Sequence, residues 1–206
     1  MYDDRKISVI KDWLGVGSIN IFGLPFAGKD IQGEILAKIF DGNLLGGGEI
    51  LRSVTLPVNI KECLQIGKLI PSEDYVKIVL PYLKKPSLAG KPLILSSFGR
   101  WSGEEMGVLT AVKESGHPLK SVVYLKINEN DAHKRWLMLR ENNDRKERRD
   151  DAEEILKTRF SEFKEKTKPV IDFYNDLELL IEIDGRGTRE QVTNSIISSL
   201  FEKCQK

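Results

Sequence analysis

The sequence reads Ile19-Asn20-Ile21-Phe22-Gly23-Leu24-Pro25-Phe26-Ala27-Gly28-Lys29 near its start, a short apolar run that leads into a turn bounded by glycines. The run 19–22 has the length and composition of a buried β-strand. After the turn, apolar residues recur with the spacing of one helix face, at Ile31, Ile35, Leu36, Ile39 and Phe40. We therefore predict a strand, a turn and an amphipathic helix that begins near Lys29.

The turn itself follows the pattern Gly23-x-x-x-x-Gly28-Lys29 between the predicted strand and helix. Glycines in such a turn let backbone N–H groups approach phosphate oxygens, and the N-terminus of the helix adds partial positive charge. A lysine in this position reaches the β and γ phosphates of a nucleoside triphosphate. The pattern predicts a P-loop with Lys29 on the phosphates. The alternative is a glycine-rich turn whose lysine faces solvent.

Three further apolar runs have strand length, at residues 93–95, 122–127 and 179–183. Segments with helical spacing lie between and after them, which is typical of βα units in a parallel sheet. Parallel sheets are covered by helices on both faces. We predict an α/β fold of the P-loop NTPase type, in which a parallel β-sheet core is flanked by helices.

Two later helices carry their own boundary signals. Thr188-Arg189-Glu190-Gln191 has the pattern of a capping box and precedes apolar residues with helical spacing. Another helix is predicted over about residues 152–166, and Pro169 is expected to prevent its continuation. Residues 1–17 are interpreted as an N-terminal extension or an additional helix.

The chain of 206 residues, 40% of them hydrophobic, suits one globular domain. Lys and Arg number 32 against 31 for Asp and Glu, so the net charge of +1 provides no field that attracts nucleic acid or a membrane surface. The N-terminus lacks a signal-peptide pattern, and no run reaches the roughly 20 apolar residues of a membrane span. With two isolated cysteines, this composition predicts a cytoplasmic protein that binds neither nucleic acid nor membrane. A monomer is expected, although the composition does not determine the oligomeric state.

Beyond the turn, the sequence resembles the adenylate kinase family. Residues 23–32 are similar to its Gly-x-Pro-Gly-x-Gly-Lys-Gly-Thr-Gln, and residues 48–52 resemble the end of its Ser-Thr-Gly-Asp-x-x-Arg. Further similar segments follow in the same order: Gly67-Lys68-Leu69-Ile70-Pro71, Phe98-Gly99-Arg100, Arg148-Arg149-Asp150-Asp151 with Arg159, and residues 167–174. The resemblance extends over about residues 19–200.

The resemblance implies transfer of a phosphoryl group from MgATP to AMP, with two ADP as products. It also implies two small segments beside the P-loop core, an AMP-binding segment at about residues 47–82 and a short lid at about 136–149. Only about 14 residues separate Arg135 from Asp150, which is too short for the four-cysteine zinc site of some longer lids. The expected cofactor is therefore Mg²⁺ with ATP, without structural zinc.

The resemblance assigns residues to three roles, position by position. ATP binding is implied for Gly23, Phe26, Ala27, Gly28, Lys29, Asp30, Ile31, Arg135, Arg140 and Gly187. AMP binding is implied for Gly47, Arg52, Lys68, Leu69, Ile70, Ser97, Phe98, Gly99, Arg100 and Glu104. Catalysis is implied for Lys29, Arg100, Arg135, Arg148 and Arg159. Positioning and positive charge do most of the work in phosphoryl transfer, and arginine forks match phosphate geometry.

Several positions depart from the family pattern. Phe26 replaces the middle glycine of the loop, Gly47 replaces a threonine near the acceptor base, and Glu104 replaces a glutamine. Asp30 follows the lysine where the general P-loop motif has Ser or Thr. Ser96 replaces an aspartate that orients waters around Mg²⁺ in the family.

The departures affect both the metal and the acceptor. We expect Mg²⁺ near Asp30, Glu49 and Ser96, with Asp30 or Glu49 supplying the negative charge that Ser96 lacks. An ATP-dependent nucleoside monophosphate kinase that acts on AMP is the leading hypothesis. Two alternatives are a P-loop kinase for another nucleotide or small acceptor, and a nucleotide-binding relative with little or no turnover.

Overall fold

The computed structural model describes residues 2–141 and 152–205. Most of the predicted lid, and with it the catalytic prediction for Arg148, lies outside the described residues. Across the part of the chain that is described, no helix combines the length and apolar character needed to cross a bilayer.

Five parallel strands form one sheet. They are β1 (Ser18–Gly23), β2 (Asn43–Gly46), β3 (Leu93–Ser96), β4 (Leu119–Lys126) and β5 (Leu180–Asp184), in the order β2-β3-β1-β4-β5. The four predicted strands and the predicted fold class are confirmed. The additional strand β2 was not predicted, because its four residues lie in the glycine-rich stretch from Gly42 to Gly48, where turn signals outweigh a two-leucine apolar run.

Ten α-helices lie among the described residues. They are α1 (Asp4–Leu14), α2 (Lys29–Phe40), α3 (Gly47–Ser53), α4 (Val58–Gln65), α5 (Ser72–Ile78), α6 (Glu105–Glu114), α7 (Glu129–Glu141), α8 (Glu153–Glu162), α9 (Lys168–Asp176) and α10 (Arg189–Cys204). Short 3₁₀ turns at Leu80–Lys84 and Pro86–Leu88 lead into β3.

The predicted starts of α2 and α10 are confirmed. Helix α2 begins at Lys29, directly after Gly28. At α10, the Thr188 hydroxyl accepts a hydrogen bond from the Gln191 backbone N–H at 3.2 Å, and the Gln191 side chain accepts one from the Thr188 N–H at 2.9 Å. This reciprocal pair satisfies two N–H groups that a helix N-terminus otherwise leaves without partners.

The prediction that Pro169 stops a helix is wrong. Helix α8 ends at Glu162, but the chain continues through a π-helical turn, Phe163–Thr167, directly into α9. Pro169 lies in the first turn of α9. Proline is tolerated there because the first turn of a helix needs no intrahelical N–H donors, so this residue begins a helix.

The buried core has two parts. The larger part surrounds β1 and β4 and includes Phe22, Leu125, Tyr174 and Ile196. The second part lies under α3 to α6 and includes Ile50, Ile60, Leu83, Phe98 and Val108. Because each part is packed separately, the chain between β2 and β3 has its own apolar support beside the sheet.

The N-terminal residues form helix α1, which packs along α10. Ile10 and Leu14 are fully buried at this contact. The Lys6 ammonium donates to the Ser198 hydroxyl at 3.2 Å. The predicted additional helix therefore covers one flank of the larger core.

We predict that Ile10→Ala lowers the free energy of unfolding by about 2–4 kcal/mol, because it removes a fully buried side chain and leaves a cavity. Val16→Ala is the matched control, since Val16 is 46% exposed and its truncation is expected to change stability by less than about 0.5 kcal/mol. Urea unfolding measures both variants. Equal effects would contradict the assignment of α1 to the core.

Candidate active site

A cleft of about 880 Å³ opens at the carboxyl ends of the parallel strands. Its walls come from the loops that follow β1, β3 and β5, from the segment that holds α3, α4 and α5, from one face of α7, and from Arg159 on α8. In open parallel sheets, ligands bind in crevices at this edge, because the helices that follow the strands point their N-termini toward it.

Most of the predicted site residues line this cleft. On the predicted ATP side they are Phe26, Ala27, Gly28, Lys29, Asp30, Ile31, Arg135 and Gly187. On the predicted acceptor side they are Gly47, Arg52, Lys68, Leu69, Ile70, Ser97, Arg100 and Glu104. Arg159 and the residues of the metal prediction, Glu49 and Ser96, line it as well.

The P-loop depends on two residues with left-handed backbone. Gly28 has φ of 94°, which glycine adopts at low cost. Phe26, where the family pattern has a glycine, has φ of 66° and packs its ring against the larger core. A left-handed conformation costs a non-glycine residue about 1–2 kcal/mol, which the packing of the ring offsets. The loop therefore adopts a left-handed turn at Phe26, although this position has no glycine.

Gly23 has a packing role in this loop and does not line the cleft. A Cβ at this position would lie 2.9 Å from the Leu125 carbonyl oxygen and 2.9 Å from the Ala27 Cβ. The missing side chain of Gly23 lets the end of β1 approach both β4 and the returning loop, and its ATP contact stays a prediction.

The Lys29 ammonium donates a hydrogen bond to the Leu24 carbonyl at 3.0 Å, inside the curve of the loop. The next residue faces β3: the Ser96 hydroxyl donates to the Asp30 carboxylate at 2.7 Å. Asp30 and Ser96 both depart from the family pattern and both belong to the metal prediction, and in the structure they are in direct contact. A carboxylate on the first turn of α2 lies beside the hydroxyl at the end of β3.

Arg135 joins two loops on the ATP side. Its guanidinium donates to the Ala27 carbonyl at 3.2 Å and to the Gly185 carbonyl at 2.5 Å. Met138 and Leu139 follow Arg135 at the spacing of one helix face and line the cleft, whereas Arg140 lies one residue further round and stacks on Trp136 at 4.9 Å. The ATP contact of Arg140 stays a prediction.

Phe98 and Gly99 lie behind the loop that carries Arg100 and are not among the residues that line the cleft, and their AMP contacts stay predictions. Phe98 is fully buried, and the Asn20 side chain bonds both its backbone N–H, at 3.2 Å, and its carbonyl, at 2.8 Å. Gly99 has φ of 68° and donates its N–H to the Tyr75 hydroxyl at 3.1 Å.

Tyr75 is a cleft residue that the sequence did not reveal. A Cβ on Gly47 would lie 3.1 Å from the Tyr75 hydroxyl oxygen, so this hydroxyl takes up space that a larger residue at position 47 would need. Burial raises the pKa of Tyr75 well above its usual range and keeps the phenol neutral. The replacement of threonine by Gly47 and the presence of Tyr75 therefore belong together.

Arg100 is held by its backbone while its guanidinium enters a buried region with several carboxylates. Its N–H donates to Glu104 at 2.7 Å, and its carbonyl accepts from the Thr167 hydroxyl at 3.1 Å. Burial lowers the pKa of the guanidinium, and the charges of Glu162, Glu104 and Asp30 oppose that shift. The backbone of Arg100 is thus fixed, and its side chain lies in the wall of the cleft near these carboxylates.

Glu162 is a second residue that sequence reasoning missed. It is 7% exposed and accepts hydrogen bonds from the Leu69 backbone N–H at 2.9 Å and from the Lys166 ammonium at 2.6 Å. The Lys166 ammonium also lies 4.0 Å from the centre of the Trp101 ring. One carboxylate therefore ties the predicted AMP-binding segment to the helix that carries Arg159.

Comparison with known proteins agrees with this geometry. The family model for adenylate kinase matches residues 21–179. The chain belongs to the adenylate kinase family. It is accordingly an adenylate kinase-like nucleoside monophosphate kinase. Nucleotide binding, which the P-loop predicts, is typical of this family.

Individual adenylate kinases align over most of the chain. One from Leptospira biflexa is 30% identical over 185 residues, which cover 86% of this chain and 96% of that protein. One from a strain of Prochlorococcus marinus is 30% identical, with 86% and 95% of the two chains covered. One from a Nocardioides species is 27% identical, with 87% and 95% covered. The chain spans nearly the full length of these adenylate kinases.

We predict that Glu162→Gln lowers the free energy of unfolding by about 1–3 kcal/mol, because the half-buried Lys166 ammonium loses its charged, buried partner. The matched control is Glu153→Gln, which removes a Glu–Lys pair of the same spacing whose side chains are 55% and 73% exposed. That change is expected to alter stability by less than about 0.5 kcal/mol. Urea unfolding of both variants measures the difference, and similar losses would contradict the buried role of Glu162.

Proposed function

We propose that the protein transfers the γ-phosphoryl group of MgATP to AMP and forms two ADP. The observation that supports this most directly is that Lys29, Arg52, Arg100, Arg135 and Arg159 line one cleft with the P-loop at its ATP side. Two nucleotides that meet in such a cleft present their phosphates to each other across a group of cations, which is the main requirement of phosphoryl transfer.

On the ATP side, the phosphates would bind the backbone N–H groups of the P-loop and the N-terminus of α2. Lys29 lies inside the loop, and its ammonium would exchange the Leu24 carbonyl for phosphate oxygens. Arg135 already bonds carbonyls of the P-loop and of the loop after β5. We propose that it orders this wall around the bound ATP.

On the acceptor side, Arg52 and Arg100 would bind the phosphate of the monophosphate. Arg52 lies in the last turn of α3, and its guanidinium lies against Gly48, where a Cβ would be 3.1 Å away. Arg100 is fixed by hydrogen bonds at both ends of its backbone. Because the backbone is already ordered, binding of the acceptor phosphate would have to order only the side chain.

The protein needs no nucleophile for this reaction, because the acceptor phosphate itself attacks the γ-phosphorus. Positive charge on Lys29, Arg100 and Arg159 would offset the charge on the transferred group. The lid at about residues 136–149 and the catalytic role of Arg148 stay predictions from the family resemblance, as do a cytoplasmic location and a monomeric state.

The donor set beside the P-loop fits Mg²⁺. Asp30 and Ser96 offer a carboxylate and a hydroxyl, which are hard oxygen ligands of the kind this ion prefers, directly or through water. No group of three or more His, Cys, Asp or Glu residues suited to a metal lies within residues 2–141 and 152–205, so nucleotide oxygens and water would complete the coordination. When bound, Mg²⁺ neutralises phosphate charge and orients the phosphates.

Lys29→Ala is expected to lower the rate of ADP formation from ATP and AMP by about 10²-fold or more, because a cation at the phosphates is lost. Lys38→Ala, at the far end of the same helix, serves as the matched control and is expected to retain the wild-type rate. A coupled assay with AMP, GMP, CMP and UMP as acceptors measures both variants. Full activity of Lys29→Ala would contradict the proposed site.

Asp30→Asn is expected to reduce the dependence of ATP binding on Mg²⁺, because the variant keeps the shape of the side chain but loses the carboxylate. Titration calorimetry with and without Mg²⁺ measures the ratio of the two dissociation constants. Asp41→Asn, at the exposed C-terminal end of α2, is the control and is expected to keep the wild-type ratio. An unchanged ratio in Asp30→Asn would show that the metal does not depend on this carboxylate.

A nucleotide-binding protein without turnover is the second candidate, and the position of Asp30 favours it. A carboxylate at the N-terminus of α2 competes with phosphate for the same positive end of the helix. Binding of ATP without transfer to any of the four monophosphates would support this candidate and overturn the kinase proposal.

A further inference from the structure

The carboxylate of Glu104 has one oxygen fixed by the backbone and one without a partner. Glu104 lies in the wall of the cleft and is 4% exposed. Its Oε2 accepts hydrogen bonds from the N–H groups of Arg100 at 2.7 Å and Trp101 at 3.1 Å. Its Oε1 is buried and has no hydrogen-bond partner among the residues that the structure describes. A donor from a bound molecule would satisfy this oxygen.

The groups around Glu104 come from two elements besides its own loop. Tyr75 on α5 and Tyr174 on α9 lie near it, and Arg100 precedes it on the same loop. Burial raises the pKa of the Glu104 carboxyl, while the two backbone N–H groups, the nearby Ser72 hydroxyl and the charge of Arg100 lower it. Both tyrosines stay neutral because burial raises the pKa of each phenol.

The chemistry of this oxygen distinguishes purine bases. An ionised carboxylate only accepts hydrogen bonds, whereas the amide of glutamine both donates and accepts. Adenine presents an amino group but also a lone pair at ring nitrogen N1, which a carboxylate repels. A 6-oxopurine carries a proton at N1, and guanine adds a second donor at its amino group. A carboxylate therefore favours a 6-oxopurine where an amide favours adenine.

We propose that Oε1 of Glu104 accepts a hydrogen bond from the base of the acceptor nucleotide, so that the site takes 6-oxopurine monophosphates, GMP and IMP, in addition to AMP. The inference rests on the proposed function, since it concerns the acceptor side of the same cleft. Glu104 is then a residue that determines acceptor specificity and takes no part in the chemical step.

Glu104→Gln tests the inference because it exchanges one acceptor for one donor. The amide oxygen can keep the N–H groups of Arg100 and Trp101, which places the amide nitrogen where Oε1 was. We expect the preference for GMP over AMP, and for IMP over AMP, to fall on the order of tenfold, the effect of one buried polar mismatch. The preferences are measured as ratios of kcat/KM and, independently, as ratios of dissociation constants from calorimetry.

Glu105→Gln is the matched control. The Glu105 carboxylate is next in the chain, is 5% exposed and accepts from the Gly103 N–H at 2.6 Å, but it does not line the cleft. Its replacement is expected to leave both ratios unchanged. Lower pH provides a second readout: as the raised pKa of Glu104 is approached, protonation turns Oε1 into a donor, and the wild type is expected to move toward the ratios of Glu104→Gln. The two ratios of Glu104→Gln itself are expected not to change over the same pH range.

The outcomes separate this inference from the function on which it rests. Transfer to AMP with unchanged ratios in Glu104→Gln would overturn the inference and leave the kinase proposal intact. Equal shifts in Glu104→Gln and Glu105→Gln would also overturn it, because a general loosening of the loop would then explain both. Absence of transfer to any monophosphate would overturn the kinase proposal, and the ratios of dissociation constants would still decide the role of Glu104.

Discussion

The close approach of β1 to β4 at Gly23 is the constraint on which the site depends. A side chain there would collide with the Leu125 carbonyl and with Ala27, so only glycine lets the strand end where the loop can return over it. The return brings Gly28 and Lys29 to the start of α2, which aims the N-terminus of this helix into the cleft. The phosphate site is thus a consequence of backbone packing as much as of the lysine.

Carboxylates hold the walls of the cleft in place. Asp30 on α2 meets Ser96 on β3, and Glu162 on α8 holds Leu69, whereas Glu104 holds its own loop at Arg100. The first two contacts each join different elements. A substitution at one member therefore affects the position of the opposite wall, and effects of neighbouring substitutions are expected to be non-additive.

The features that sequence could predict are those with a local physical signal. Apolar runs identified four strands, and the glycine–lysine turn and the capping box identified the starts of α2 and α10. Tyr75 and Glu162 carried no such signal, because their roles come from contacts with Gly99 and Leu69, which are distant in the chain. The face of α7 that meets the cleft, with Arg135, Met138 and Leu139, is likewise set by packing, which sequence spacing near one arginine does not reveal.

The π-helical turn Phe163–Thr167 lies between α8 and α9 in one continuous helix and rotates the helix face from one to the other. An additional residue in one turn advances the helix face by about 100°. Before the turn, Arg159 and Glu162 are turned to the cleft and its wall; after it, Val170 and Tyr174 are turned to the buried sheet. Removal of one residue from this turn would misalign the two faces, so that either the cations or the core would point the wrong way. The continuous helix therefore fixes the angle between the side of α9 that packs in the core and the side of α8 that carries Arg159 toward the cleft.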